Sequence, residues 1–234
     1  MTSIKQELKK RANPKKAKLL SGFFKIGKGH YGEGDVFLGV MVPQSREVAR
    51  QFLNLELKEV ERSLFSKFHE ERLVALLILV EKYKRGNKDV KEEIFNFYLK
   101  NTKWINNWDL VDLTSHKIVG EWLLDKDRNI LYELAKSENL WEKRISIISC
   151  FAFIRNNDFK DALEISKILF NDKHDLIHKA VGWVLIEIGK INLKAEEKFL
   201  QEEGRYKNMP RTMLRYAIEK FDESRRKKYL KGEI

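Results

Sequence analysis

The sequence feature that most constrains the fold is a repeat of apolar helical segments about 35 residues apart. A polar or charged residue opens a mostly apolar run at Arg72, Asp109, Arg144, His178 and Arg211. The successive spacings of 37, 35, 34 and 33 residues suit a helix, a turn and a second helix. Because one such pair cannot cover its own hydrophobic face, pairs stack on one another. The sequence therefore predicts an all-α superhelix, a solenoid of about five helix pairs.

The composition of the runs also favours helices over strands. Residues 72–80 and 144–154 are apolar nearly all round, which is typical of helices covered on most sides. Residues 90–98 instead alternate apolar and charged positions at helical spacing. With only 12 Gly and 3 Pro, the chain lacks the turn residues of a sandwich or barrel. A content of 43% hydrophobic residues excludes a disordered chain.

The domain organisation follows from the absence of any break in composition. We predict one helical-repeat domain over residues 1–234, in which a basic N-terminal helix and a loop occupy about 1–43 and the helical repeats about 44–234. Glycine is dense only at Gly27, Gly29, Gly32 and Gly34. This stretch is predicted to be a long loop between the N-terminal helix and the repeats.

Positive charge is concentrated at the two ends of the chain. Residues 1–28 contain nine Lys or Arg and one acid, and residues 205–234 contain ten against four, within a net charge of +11. Basic ends of this kind bind phosphates, or simply keep a protein in solution, and the charge alone leaves both interpretations open.

The compartment is predicted from two absences in the sequence. Cys150 is the single cysteine, so no internal disulfide can form and a reducing compartment is expected. No signal core or long apolar segment is present. We expect a cytoplasmic protein and not a secreted or membrane-spanning one.

Several common enzyme signatures are missing. The chain has no GxxxxGK[ST] phosphate loop, no GxSxG nucleophile elbow and no HExxH pair. No apolar strand runs into the glycine-rich segment, so a surface loop is favoured there over a nucleotide site. His174 and His178 are four residues apart, but no pattern around them defines a metal geometry. We predict no metal and no cofactor.

Tryptophans and charged residues lie near the starts of successive second helices of the predicted pairs. The residues concerned are Trp104, Trp108, Asp109, Asp112, Trp141, Arg144 and Trp183. Equivalent positions of consecutive repeats line up along one surface, so these side chains are candidates for a single concave site. Structural roles are the alternative: a tryptophan in the core, Asp112 in the first turn of a helix, and Arg144 in an ion pair.

Three of these segments resemble sequence blocks of the AlkD-type DNA alkylation repair glycosylases, a family of HEAT-like repeat proteins. The segments are Asn107-Trp-Asp-Leu-Val-Asp112, Leu140-Trp-Glu-Lys-Arg144 and Lys179-Ala-Val-Gly-Trp183. The loop from Tyr31 to Pro43 is similar to a further segment of that family. The resemblance runs from about residue 20 to the C-terminus, and four blocks in order are more specific than one.

The resemblance implies a role for each of four residues. Asp112 is expected to be the catalytic carboxylate, Arg144 a phosphate contact beside the lesion, and Trp108 and Trp183 aromatic walls against the deoxyribose. Members of the family hold duplex DNA in a concave basic groove and release N3- and N7-alkylated purines. They are understood to leave the damaged base stacked rather than to extrude it.

Two hypotheses of function follow. The first is a monofunctional DNA glycosylase that hydrolyses the N-glycosidic bond of cationic N3- or N7-alkylated purines in duplex DNA, acts as a monomer and uses no metal. The second is a non-catalytic helical-repeat scaffold that binds structured nucleic acid or an acidic protein partner. The two hypotheses differ in what they predict for the variant Asp112→Asn.

Overall fold

The structure, a computed structural model, describes residues 2–234 of the chain. Among these residues all regular structure is helical, and the only β-type pairing is an isolated bridge between Val36 and Phe68. The prediction of an all-α fold is confirmed. The chain divides into two compact units, the first ending at Thr114 and the second covering Ser115–Ile234. The prediction of one domain over the full length stays a prediction.

The first unit consists of seven α-helices and one short 3-10 helix within its described residues. They are α1 Ile4–Lys10, α2 Pro14–Phe23, α3 Val42–Gln51, α4 Leu57–Leu64, α5 His69–Arg85, α6 Lys88–Lys100, the 3-10 helix Thr102–Trp104 and α7 Trp108–Asp112. Helix α5 packs against α1, α3, α4, α6 and α7. Its segment Leu73–Leu79 is buried throughout, as the apolar run in the sequence predicts.

The second unit begins with a short π-helix, His116–Gly120, and continues with α-helices. These are α8 Asn129–Ala135, α9 Leu140–Ser149, α10 Phe151–Ile154, α11 Lys160–Ile168, α12 Asp175–Ile191, α13 Leu193–Gln201, α14 Arg205–Asn208, α15 Arg211–Ala217 and α16 Glu223–Lys231. Two 3-10 helices, Glu202–Gly204 and Ile218–Lys220, lie among them. Helix α12 packs against α9, α13 and α15.

The positions that mark the sequence repeat lie at or just inside helix starts. Arg72, Asp109, Arg144, His178 and Arg211 fall in α5, α7, α9, α12 and α15, at most four residues after the first residue of each helix. Asn87 and Asn107, which the sequence offers as helix caps, are the N-cap residues of α6 and α7. Asn87 accepts a hydrogen bond from the Val90 amide at 3.0 Å, as an N-cap should.

Two local predictions need correction. The N-terminal segment forms two helices, α1 and α2, rather than one, because Asn13 caps a new helix that has Pro14 at its first position. The sequence favours Pro210 as the first residue of a helix, where its missing amide hydrogen costs no bond, but it precedes α15 as the N-cap residue. Both differences arise from cap geometry, which apolar periodicity does not report.

The glycine-rich segment is a loop of turns, as predicted, and its end is anchored by a buried carboxylate. The Glu70 side chain, at the start of α5, accepts hydrogen bonds from the amides of Leu38, Gly39 and Val40 at 2.8 to 3.2 Å. Gly39 has a φ of 82°, and a Cβ there would lie 2.1 Å from the Asn13 carbonyl oxygen. Only glycine therefore allows the loop to pass so close to the start of α2.

No helix within residues 2–234 combines the length and the apolar character needed to cross a bilayer.

Candidate functional site

Helix α7 carries two of the four predicted site residues on one face. Trp108 is its first residue and Asp112 its last, and a separation of four residues places them one above the other. Both side chains are half-buried. The alternative in which Asp112 is a first-turn carboxylate is wrong, because it is Asp109 that occupies the first turn.

Asp112 lies close to a buried chain of hydroxyl groups. The Tyr98 hydroxyl is 2.9 Å from the Thr114 hydroxyl, which donates to the Leu110 carbonyl oxygen at 2.5 Å. Burial raises the pKa of Tyr98, and the negative charge of Asp112 raises it further. The Tyr98 hydroxyl therefore stays neutral, and its hydrogen bond to Thr114 connects α6 to the residues that follow α7.

The Trp108 ring continues a stack of aromatic side chains. It stacks on Phe24 with ring centroids 5.0 Å apart and an interplanar angle of 15°. Phe23, the last residue of α2, meets it edge to face at 5.7 Å and is 64% exposed. The Trp108 ring is thus held by residues about 85 positions earlier in the chain.

A buried cluster of charged and polar side chains supports the start of α7. We call it the His69 cluster, and its members are Asp35, His69, Arg72, Asn107 and Asp109. The His69 ring nitrogens Nδ1 and Nε2 lie 3.0 Å from Asp35 Oδ2 and 2.8 Å from Asp109 Oδ2. Arg72 donates to Asp35 at 2.5 Å, and the Asn107 amide donates to the same carboxylate at 3.1 Å.

The electrostatics of the His69 cluster keep its histidine charged. Burial alone would lower the pKa of His69, but the charge and hydrogen bond of Asp109, with the hydrogen bond to Asp35, raise it to about 9. Burial would likewise raise the pKa of Asp35, yet His69 and Arg72 hold it below its usual value. Two cations and two carboxylates therefore neutralise one another in the interior of the first unit.

Arg144 lies in α9, in the second unit. Its side chain is 5% exposed, and its Nη1 donates to the Leu176 carbonyl oxygen at 2.5 Å in the first turn of α12. This bond orients the guanidinium at the place where α9 meets the start of α12.

Trp183 lies in α12 of the same unit and is half-buried. Its ring packs edge to face on Phe151 at 4.6 Å, and its Nε1 donates to Glu187 Oε1 at 3.1 Å. The preceding residue, Gly182, allows α15 to approach closely, since a Cβ there would lie 2.4 Å from the Tyr216 Cβ and 2.7 Å from the Met213 carbonyl oxygen. Close helix packing therefore holds this part of α12.

The four predicted residues thus form two pairs, Trp108 with Asp112 on α7, and Arg144 with Trp183 on the adjoining helices α9 and α12. That the two pairs share one surface stays a prediction. Sequence reasoning missed the cluster around His69. Its signals were a histidine placed directly before the apolar run of α5 and the Asn107 and Asp109 of the first motif.

The two histidines that were considered as metal ligands have ordinary partners. His174 caps α12 by accepting from the Leu176 amide at 3.1 Å, and His178 contacts the Asp172 carbonyl oxygen at 2.5 Å. Over the described part of the chain, no three His, Cys, Asp or Glu side chains come together in a way suited to a metal ion.

Comparisons with other proteins give the family. Residues 4–221 match the family of DNA alkylation repair enzymes. No curated protein sequence matches the chain. Among solved structures, a predicted DNA alkylation repair enzyme from Enterococcus faecalis has the same fold, with a TM-score of 0.68 and 17% identity over 91% of this chain and 97% of that one. Since the family match covers nearly all of the sequence, the chain belongs to the DNA alkylation repair enzyme family.

Proposed function

We propose that this protein is a monofunctional DNA glycosylase that hydrolyses the N-glycosidic bond of cationic N3- or N7-alkylated purines in duplex DNA. The observation that carries the proposal is the pairing of Asp112 and Trp108 on one half-buried face of α7, in a chain of this family. We expect it to act as a monomer in the cytoplasm and to be associated with the nucleoid when it is bound to DNA.

The chemistry needs one carboxylate. Alkylation at N3 or N7 makes the purine a cation and thus a good leaving group, while the sugar develops positive charge at C1′ as the bond breaks. The carboxylate of Asp112, aimed at C1′, stabilises that charge and orients the attacking water, as the second carboxylate of a glycoside hydrolase does. No protonated acid is required, because the leaving base is already activated.

The remaining residues bind and position the substrate. The faces of Trp108 and Trp183 attract a cationic sugar and exclude water from it. Arg144 fixes the register of the backbone by a charge-assisted contact to a phosphate beside the lesion. Water is the nucleophile, and no lysine is placed to form a Schiff base, so cleavage of the DNA strand is not expected.

Basic side chains near α7 support binding to duplex DNA. Lys15, Lys16 and Lys18 are exposed on α2, the helix whose last residue touches Trp108. Neutralising phosphates with such side chains releases counterions, which favours binding at moderate salt.

The test uses a duplex oligonucleotide with one N7-methylguanine. Wild-type protein should release the free base and leave an alkali-labile abasic site faster than the spontaneous reaction, and Asp112→Asn should abolish this release while still binding DNA. The matched control is Asp89→Asn, at an exposed carboxylate in the first turn of α6, which should release the base at the wild-type rate.

A non-catalytic scaffold is the alternative function. In that case wild-type protein would bind the duplex and release no base from it or from a 3-methyladenine duplex. Asp112→Asn would then retain or gain affinity, because it removes a negative charge near the phosphates.

A further inference from the structure

We propose that His69, held between the carboxylates of Asp35 and Asp109, is a positioning residue that fixes α7 and thereby the side chains of Trp108 and Asp112. This inference rests on the proposed glycosylase function for its kinetic test, but its structural part does not. The side-chain contacts of His69 are with Asp35 and Asp109 and with the rings of Phe24 and Phe37, so it acts on Trp108 and Asp112 through other residues.

The need for positioning follows from the length of α7. The helix has only five residues, Trp108–Asp112, and a helix this short has no stability of its own in water. Its direction must come from tertiary contacts. At its start, Asn107 and Asp109 are both bonded into the His69 cluster, so the first turn is held by two side chains rather than by one cap.

The cluster joins parts of the first unit that are far apart in sequence. Asp35 comes from the glycine-rich loop, His69 and Arg72 from the start of α5, and Asp109 from α7. Asp35 alone accepts from His69, Arg72 and Asn107, across separations of 34, 37 and 72 residues. Through Asp35, the loop therefore connects the start of α5 to the start of α7.

A second connection runs through aromatic rings. The His69 ring stacks on Phe37 with centroids 4.5 Å apart and lies 5.1 Å from the Phe24 ring. Phe24 in turn stacks on Trp108 at 5.0 Å, so these rings connect His69 to Trp108. A charged imidazole packed among aromatic faces gains a cation–π attraction. Displacement of the His69 ring therefore moves the support on which Trp108 rests.

The charge balance makes the arrangement sensitive to pH. The charged groups acting on His69 are Asp109 and Asp35, which favour its cation, and Arg72, which opposes it; the neighbouring Glu70 carboxylate is bonded to the loop amides instead. When His69 loses a proton, one of its ring nitrogens presents a lone pair to a carboxylate. The contact between that nitrogen and the carboxylate of Asp35 or Asp109 becomes repulsive, and the hydrogen-bonded support of α7 is weakened.

The experiment compares three variants with wild-type protein. His69→Gln removes the cation and leaves Asp109 buried without its partner. The double variant H69Q/D109N restores the charge balance, since Arg72 and Asp35 remain paired. Val60→Ala removes a methyl pair from a fully buried residue of α4 and serves as the control for loss of stability alone.

Two readouts are measured for each variant. The first is the single-turnover rate of N7-methylguanine release at saturating protein, from pH 6 to pH 9.5, corrected for spontaneous release at each pH. The second is the NMR signal of the Trp108 indole N–H, which is assigned by its loss in Trp108→Phe and is independent of activity.

We expect His69→Gln to lower the release rate about 100-fold, the effect of a small misplacement of catalytic groups, with little change in the Kd for the duplex. The Trp108 indole signal should shift in this variant. In wild-type protein, rate and indole signal should change together as the pH passes about 9. H69Q/D109N should recover most of the neutral-pH rate and lose that alkaline change.

The proposal is overturned if His69→Gln matches Val60→Ala in both rate and indole signal, or if the wild-type indole signal does not respond near pH 9. Should His69→Gln not fold, H69Q/D109N and the wild-type titration decide the question. If wild-type protein releases no base, the proposed function fails, and the indole signals alone still decide whether His69 positions Trp108.

Discussion

The His69 cluster of the first unit and a buried carboxyl group of the second unit treat charge in opposite ways. In the first unit, Asp35, His69, Arg72 and Asp109 form a balanced group in which each charge has an opposite partner. In the second unit, Glu196 of α13 is 1% exposed and its Oε1 has no hydrogen-bond partner among the described residues. Burial, and then the charge of Glu197, raise the pKa of Glu196 to about 9. The His69 cluster keeps its charges by pairing them, and Glu196 loses its charge by protonation.

The difference predicts how each group responds to pH. The stabilisation from His69 is complete below its unfolded pKa of 6.5 and is lost as the pH rises to about 9. The stabilisation from Asp35, whose pKa is lowered, is present above 3.8 and is lost as the pH falls. Glu196 contributes most below 4.5 and loses its contribution as the pH rises to about 9. The paired group therefore favours a neutral optimum, whereas the lone carboxyl favours acid.

The two candidate tryptophans, Trp108 and Trp183, are also supported by different kinds of contact. Trp108 is placed by contacts with residues far away in sequence, the ring of Phe24 and the His69 cluster. Trp183 is placed by a hydrogen bond to Glu187, one helical turn away, by the ring of Phe151 and by close packing around Gly182, so its support combines a local contact with distant ones. Four predictions sharpen these comparisons, beginning with the largest expected effect, and the last of them tests whether the supports of the two tryptophans are independent.

Arg144→Ala should lower the single-turnover rate of base release about 100-fold, as loss of a preorganised charged donor does, and weaken binding to the lesion duplex. Arg144→Lys is the matched variant, since it keeps the charge and loses the planar fork. It should bind DNA better than the alanine variant and still release base slowly. An unchanged rate in Arg144→Ala, measured on protein with a wild-type Tm, would contradict the assigned role.

Glu196→Gln should stabilise the protein at neutral pH, because folding no longer requires a carboxyl group to take up a proton. The gain in the free energy of unfolding should grow by up to about 1.4 kcal/mol per pH unit from pH 4.5 towards pH 9. Urea unfolding at a series of pH values measures it. Glu133→Gln, at an exposed position of α8, is the control and should show no such slope. A flat difference for Glu196→Gln would mean that the carboxyl group is ionised in the fold.

Gly182→Ala should destabilise the protein by about 1 to 3 kcal/mol, because the new methyl group meets the Tyr216 Cβ and the Met213 carbonyl oxygen. Gly22→Ala in α2 is the matched control: apart from its chain neighbours and the backbone of its own helix, no atom lies within 4 Å of the new Cβ, so helix propensity should stabilise it by up to about 1 kcal/mol. Thermal unfolding of both variants gives the comparison. Equal signs for the two changes would show that α12 and α15 are free to separate.

Glu187→Ala should cost about 0.5 to 1.5 kcal/mol in stability, the value of one partly exposed hydrogen bond to the Trp183 indole. Glu187→Gln keeps an acceptor and should cost less. The Trp108 indole signal should be the same in both variants as in wild-type protein. A change in that signal would show that the supports of the two tryptophans are coupled.

Much of the fold was predictable because helical periodicity and cap residues act locally. The repeat positions led directly to α5, α7, α9, α12 and α15, and the all-apolar run 72–80 led to the most buried helix of the first unit. Boundaries were less well predicted. Pro210 and the split between α1 and α2 depend on individual cap geometries, which the apolar pattern does not encode.

The candidate site likewise has features that follow from local sequence and features that follow only from tertiary contacts. The sequence by itself determined the helical class, the four residues of the motifs and the position of Trp108 and Asp112 on one face, because a spacing of four is a property of any helix. Only the tertiary structure decided that Asp35, His69 and Asp109 meet, and that the pKa of His69 is raised to about 9. The physical reason is that burial and pairing of charges depend on contacts between segments 34 to 72 residues apart, which no local pattern contains.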